Sequence, residues 1–312
     1  MNLNKSLGPC FNCCFLLIAL VSSDLLFSQK EYHNIYLKVL GTVQDGGSPH
    51  IGCKKKCCIN LSAEQKANRK VTALEIFQPQ SKKSLLFEAT PDIVSQWDTL
   101  SFPLHGIFIS HAHMGHYSGL LHLGREALSS KNIPVFVMPK MRSFLENNAP
   151  WNQLINLKNI ILYNLENKIS IKLIRNLNIT PIRVPHRDEF SETVGYIIRG
   201  PNKTVLFVPD IDKWSLWEEN LITLLKEVDL AFIDATFFSS EEVNYRPLSE
   251  IPHPLVIETI DYLKNEGADI KNKIYFIHMN HTNPLLNRNS KAFKFVLGKG
   301  FNVARLGQQF EL

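Results

Sequence analysis

Three histidines, His111, His113 and His116, stand within six residues, directly after the apolar run 107–109. Residues two apart on an extended chain point to the same side, so His111 and His113 can aim at one point. A helical turn beginning after them can bring His116 alongside. Convergent imidazoles that leave a position open are how proteins hold a catalytic zinc. A lone histidine in a turn is usually a solvated polar group. Three at this spacing, at the mouth of a buried strand, point to metal ligation.

His186, Asp210 and His278 share a placement with them, since each follows an apolar, strand-like run. Each alone has an ordinary alternative. Asp210, like Asp212, can cap the turn that follows it, and His186 beside Arg187 can be a solvated turn residue. Asp234 also ends a strand and competes for the role of carboxylate ligand. His33, His50, His105, His122 and His253 lack this placement and read as ordinary histidines.

The elements that must position these groups follow from hydrophobic patterning. A first strand at 35–40 runs into a glycine-flanked loop, 41–49, that contains Asp45. Glycines there permit unusual backbone angles and close approach to a ligand. The runs 71–77 and 84–88 read as a hairpin, and Thr90-Pro91 as the start of a helix over 92–97. After the histidines a helix is expected over 117–128, with Leu120, Leu121, Leu123 and Leu128 on its packed face. Strands follow at 134–138, 160–163, 169–174 and 179–184, a hairpin at 193–198 and 204–208, then strands at 229–233, 274–277 and 302–306. Helices are expected at 140–147, 216–226, 254–265 and 284–296. Alternating strands and helices, with hairpins among them, predict an α/β chain of the α+β sandwich type: two mixed sheets face to face with helices outside.

The chain has 312 residues, 45% hydrophobic and 20% charged, enough for a substantial core. Its charge of +5, not gathered into long blocks, gives no argument for nucleic acid. Lys5 precedes an apolar run, 13–21, with Ser22, Ser23 and Ser28 beyond it. That pattern predicts a secretory signal peptide over 1–28, cleaved after Ser23 or Ser28, and hence an exported protein, periplasmic or secreted. The alternatives are an uncleaved anchor or a buried strand, although the run is short for a stable membrane span. Cys10, Cys13 and Cys14 would leave with the signal. Cys53, Cys57 and Cys58 remain, an odd number for an oxidising compartment.

His-x-His-x-x-His after a strand resembles the metallo-β-lactamase fold, whose usual pattern is His-x-His-x-Asp-His. This chain has Gly115 in place of the Asp. The resemblance implies an αββα domain over 34–312. It also implies that His111, His113 and His186 hold a first metal, and that His116, Asp210 and His278 hold a second, with Asp210 bridging and catalytic. The segments 40–42 and 277–284, with Pro49 and the cysteine cluster, are similar to the branch containing the PQQ-biosynthesis B protein and the carbon–phosphorus lyase cyclic phosphodiesterase. That likeness implies a structural zinc on Cys53, Cys57, Cys58 and His281, closed and four-coordinate. The alternative for these thiols is a disulfide or free cysteines.

The cofactor implied is zinc, one or two ions in the active site and one structural, with iron or copper possible in the active site. The activity implied is an exported metallo-hydrolase of a small molecule, zinc making hydroxide available near neutral pH to attack an ester or phosphodiester. The alternative is a PQQ-biosynthesis-B-like redox or oxygenase protein with iron or copper in the same site. A homodimer is left open. Gly115 weakens the second site by one anion, and Asp45 is the candidate replacement, as ligand or as catalytic base. Its ordinary reading is a turn aspartate stabilising its own loop.

Overall fold

The central strands of this chain are apolar at consecutive positions because both faces of each sheet are covered there. In the computed structural model, which describes residues 34–243 and 247–312, successive residues of one strand enter different cores. Phe87 and Phe108 point between the sheets, whereas their neighbours Leu86 and Ile107 point to the helices of the first half. In the second half Phe207 and Phe232 point between the sheets, and Leu206 and Ala231 outward. The period-2 geometry of a strand thus yields three apolar layers from two sheets. This is the αββα sandwich expected from the sequence.

The first sheet takes β1 (Tyr36–Gly41), β2 (Ala73–Gln78), β3 (Lys83–Phe87), β4 (Leu104–Phe108), β5 (Ile133–Val137) and β6 (Ile160–Asn164). The second takes β7 (Ile171–Ile174), β8 (Leu177–Arg183), β9 (Val194–Arg199), β10 (Thr204–Val208), β11 (Leu230–Asp234), β12 (Ile274–Ile277) and β13 (Asn302–Val303). The last strand, β14 (Gln309–Glu311), returns to the first sheet beside β1, so the orders are β14-β1-β2-β3-β4-β5-β6 and β13-β12-β11-β10-β9-β8-β7. Both sheets are mixed: β2–β3 and β9–β10 are antiparallel hairpins, and β3–β4–β5–β6 and β10–β11–β12–β13 run parallel.

Stacked Phe87, Phe108 and Phe136, with ring centroids 4.8 and 4.7 Å apart, form the inner wall of the first sheet. Tyr196 meets Phe87 and Phe108 edge-on from the second sheet and donates its hydroxyl hydrogen to Ile109 O at 2.7 Å. Offset and edge-to-face aromatic contacts of this kind add about 0.5–1.5 kcal/mol each beyond area burial. They lock the two sheets together two residues before His111.

Three helices differ from expectation. After the histidines the α-helix is only Met114–Tyr117, followed by a 3-10 segment, Ser118–Leu123. The Gly119 N–H donates across to Ala89 O at 2.9 Å rather than along a helix, and Leu128 is exposed. The expected helix at 284–296 is also divided. A 3-10 turn, Pro284–Leu286, precedes Lys291–Gly298, which starts where the Ser290 side chain accepts from Phe293 N at 3.0 Å. Asn287 and Asn289, poor helix formers, lie in the break. Similarly the helix expected at 216–226 begins only at Leu221, capped by Asn220. The signal segment expected at 1–28 lies outside the described residues. Among the described residues no helix is long and apolar enough to cross a membrane.

Candidate metal centre

The parallel strands of both sheets end at one edge of the sandwich, and the candidate ligands stand on those ends. β4 leads through Ile109 and Ser110 to His111, and β8 leads to His186. β10 leads to Asp210 and β12 directly to His278. His278 and Glu88, the residue after β3, have φ of +65° and +75°. Left-handed angles cost a non-glycine residue about 1–3 kcal/mol and persist only where the surroundings over-determine them. Here the flip turns both side chains into the site.

The first donor set is His111, His113, His186 and Asp210. His111 Nε2 lies 2.8 Å from His113 Nδ1, and His186 Nε2 lies 3.3 Å from the same atom. Asp210 Oδ2 is 3.4 Å from both His111 Nε2 and His186 Nε2. The second set is Asp45, His116, Asp210 and His278. Asp45 Oδ1 is 3.1 Å from His116 Nε2 and 3.1 Å from His278 Nε2, and Asp210 Oδ2 is 3.8 Å from His116 Nε2. Asp210 therefore belongs to both sets.

These separations fit metal ligation. Zinc–nitrogen bonds of about 2.05 Å in a tetrahedron place donor atoms roughly 3.3 Å apart. Further, His116 Nε2 and Asp210 Oδ1 are buried and make no well-aligned hydrogen bond among the described residues, although Asp45 Oδ1 and His253 Nδ1 stand 3.1 and 3.2 Å from them. Such burial is costly unless another group occupies these atoms. The opposite ring nitrogens are engaged except at His186, whose buried Nδ1 has no partner among the described residues. His111 Nδ1 meets Ser110 Oγ at 2.9 Å, His113 Nε2 meets Glu189 Oε2 at 3.0 Å, and His278 Nδ1 meets Thr236 Oγ1 at 3.0 Å. His116 Nδ1 faces Ser110 Oγ at 3.3 Å and Glu88 Oε1 at 3.4 Å. Such outer partners hold the ring tautomer and orientation that a ligand needs.

The electrostatics agree with that role. Burial pushes His186 down to about 4 and holds His111 well below the usual histidine range. Burial alone would raise Asp210 and Asp45. His186 and His253 outweigh it at Asp210, and His116 and His278 at Asp45, so both carboxylates sit well below their usual range. Conversely, burial would depress His116, yet Asp45 and then Glu88 carry it well above the usual value. The donor set attracts one positive charge at that point.

His253, read from the sequence as ordinary, belongs to this centre. Its Nδ1 is 2.9 Å from Asp234 Oδ2 and 3.2 Å from Asp210 Oδ1, and its ring lies 5.5 Å from that of His186. Burial lowers its pKa, but Asp234 and Asp210 raise it further, to about 10. His253 sits between Pro252 and Pro254 in a long connection, so the strand-end criterion could not find it. Asp234, the rival carboxylate, is saturated by Thr236 N and Oγ1, each at 2.7 Å, and by Ile211 N at 3.2 Å. It orients His253 and the loop that carries Asp210. The remaining rings called ordinary include His50, which stacks at 4.6 Å on His281.

The cysteine cluster forms a separate four-donor group: Cys53, Cys57, Cys58 and His281. The thiols are unbridged, with Cys57 and Cys58 sulfurs 4.0 Å apart, against roughly 3.8 Å for zinc–sulfur bonds of about 2.3 Å in a tetrahedron. Burial, with hydrogen bonding from Cys53, pushes the Cys58 thiol up to about 12, so ionising all three sulfurs calls for a cation. Burial, with His50 and Lys55 adding to it, holds His281 down to about 4 and so neutral.

Comparison with known proteins now decides the family. The profile of the "Beta-lactamase superfamily domain" matches residues 83–279, more than half of the chain. The chain belongs to the β-lactamase superfamily. Within the superfamily it is similar to a coenzyme PQQ synthesis protein B of Pseudomonas putida, 24% identical over 89% of this chain and 100% of that protein. A Methylorubrum extorquens protein of the same name is 20% identical over the same shares. Among solved structures, Zn(2+)-bound PqqB from Methylobacterium extorquens superposes with a TM-score of 0.74 at 19% identity, covering 89% of this chain and all of that one. A diphosphatase of the PhnP family gives 0.62 at 20% identity, covering 89% and 97%. At these identities the structural likeness speaks for the superfamily fold.

Proposed function

We propose that the protein is a metal-dependent hydrolase of phosphodiester or ester bonds in a small molecule. The observation that carries this reading is the pair of four-donor sets sharing Asp210, with most of the opposite histidine nitrogens already held by outer partners. His111, His113, His186 and Asp210 would hold one metal, and His116, Asp210 and His278 would contribute to a second. Metals there would supply ionised water near neutral pH and offset negative charge on a leaving oxygen. The chain's own part is positional. Ser110, Glu189, Thr236 and Glu88 orient the imidazoles, and Asp234 holds His253 through Nδ1, leaving its Nε2–H as the donor for a leaving oxygen. Cys53, Cys57, Cys58 and His281 would hold a structural zinc. The signal-like segment 1–28 supports placing the activity outside the cytoplasm, which N-terminal sequencing of the mature protein tests.

The deciding experiment assays metal-replete protein on a panel of aryl and cyclic phosphodiesters, carboxylic esters and lactams. Hydrolysis that chelation removes and zinc or manganese restores is the expected result; no turnover with full metal content would overturn it. Similarity over 89% of this chain to a PQQ synthesis B protein favours a second reading, a redox or oxygenase site of iron or copper. Protein purified without added metal that carries a redox-active metal and hydrolyses nothing would establish that reading instead.

A further inference from the structure

Position 115 and position 45 compete for one volume. A Cβ at Gly115 would stand 2.3 Å from Asp45 Oδ1, 2.5 Å from its Cγ and 2.6 Å from its Cα. No side chain at 115 fits unless the backbone of Asp45 moves. That backbone is clamped on two sides. Gln44 N donates to Met279 O at 2.9 Å and Met279 N to Thr42 O at 2.8 Å, while Val43 bridges both Val71 and Met279. The clamp lies beside His278, which places the Asp45 carboxylate between His278 and His116, 3.1 Å from each Nε2.

We propose that Asp45 is the second carboxylate ligand of the metal position formed by His116, Asp210 and His278, and that Gly115 is the vacancy which admits it. The proposal rests on reading that position as a metal site. Within the superfamily pattern a carboxylate is expected at 115; here the anion arrives from the β1 loop, 70 residues earlier in the chain. Two carboxylates and two imidazoles then surround the position, a donor set suited to zinc or manganese. An aspartate serving only its own turn would bond the turn's backbone. Among the described residues the Asp45 carboxylate instead meets His116 and His278.

The test is zinc titration of the metal-free full chain by calorimetry, with bound metal counted by elemental analysis. Wild type is expected to take two equivalents at the His/Asp centre besides the one at the cysteines. Asp45→Asn, which keeps the shape, and Asp45→Ala should each lose one equivalent, or bind it at least about 100-fold more weakly, more than loss of an outer partner costs. Gly115→Ala should do the same with Asp45 intact, because its methyl displaces the carboxylate. The exchange Asp45→Gly with Gly115→Asp should recover the second equivalent. Asp45→Asn retaining both equivalents at wild-type affinity overturns the proposal, as does normal binding by Gly115→Ala. Failure of the exchange to recover what both single variants lose overturns the shared-volume half. A wild type that takes only one equivalent overturns the reading of the position itself, and so is distinguishable from a failure of Asp45. Retention of the first equivalent in each variant serves as the internal control for folding.

Discussion

At the His/Asp centre the donors hang from strand ends or from the loops clamped beside them, and His111, His116, Asp210 and His278 are each at most 2% exposed. At the Cys/His cluster the thiols stand on coil and on a four-residue helix, Lys56–Ile59, flanked by Ile51 and Ile59 at 89% and 61% exposure. Among the described residues none of 44–70 joins a hydrophobic cluster, although Cys58 itself is buried, and Arg69 ties the segment to Ser48 Oγ at 2.9 Å. With metal bound at both as proposed, the difference would separate two uses of it. Where sheets already hold the donors, the ion adds chemistry to geometry the fold supplies. Where a loop has no core, the ion supplies the geometry, and its binding free energy becomes local folding free energy.

Breaking each region should therefore give opposite profiles. His111→Ala is expected to lower turnover about a thousandfold, the upper end for loss of one electrostatic stabiliser, and to remove one equivalent of metal. The urea midpoint of the metal-free protein should stay near wild type; a collapse of that midpoint would show that the centre, too, is built by its ion. Cys58→Ser should do the reverse. With zinc a thousandfold above its dissociation constant, the lost linkage amounts to about 4 kcal/mol of zinc-dependent stability. Hydrogen exchange should rise at 46–60 and around His281 while the ends of β4, β10 and β12 stay protected. Protection unchanged at 46–60 would mean that the loop stands without metal.

Smaller effects sharpen the contrast further. Thr236→Val removes the partner of His278 Nδ1 and one of the donors to Asp234. Zinc affinity at the second position should fall about tenfold to a hundredfold, the usual consequence of losing an outer partner, with the cysteine site untouched. Calorimetry that finds equal losses at both sites would contradict their independence. Glu189→Ala should matter least. Its carboxylate is 44% exposed where it meets His113, so solvent screens the pair and the change is expected within about 1 kcal/mol. A loss as large as that of Thr236→Val would place Glu189 deeper in the working site than its exposure indicates.

Much of the architecture is legible in the chain, because strand burial is a local pattern. Runs such as 205–208 and 230–233 are apolar throughout, which requires cover on both faces, and the structure has it. The same pattern locates His111, His186, Asp210 and His278 by what precedes them. Helix lengths were less legible. Leu121 and Leu128 continue a helical spacing, yet Gly119 is bound across to Ala89 and the helix ends early. β14 was not foreseen, since three residues of mixed polarity acquire strand geometry only by pairing with β1.

By itself, then, the sequence determined the two-sheet architecture and the histidine-rich strand end, both readable from neighbours a few residues apart. It also exposed the departure at Gly115 and offered Asp45 as a candidate replacement, without setting the two against each other. Tertiary structure alone brought Asp45 into the volume that Gly115 leaves, and set His253 between Asp234 and Asp210. Those contacts join segments tens of residues apart, through loops that carry no periodicity. What placed them is the packing of two sheets whose strand ends meet at one edge, and no local pattern encodes where those loops cross.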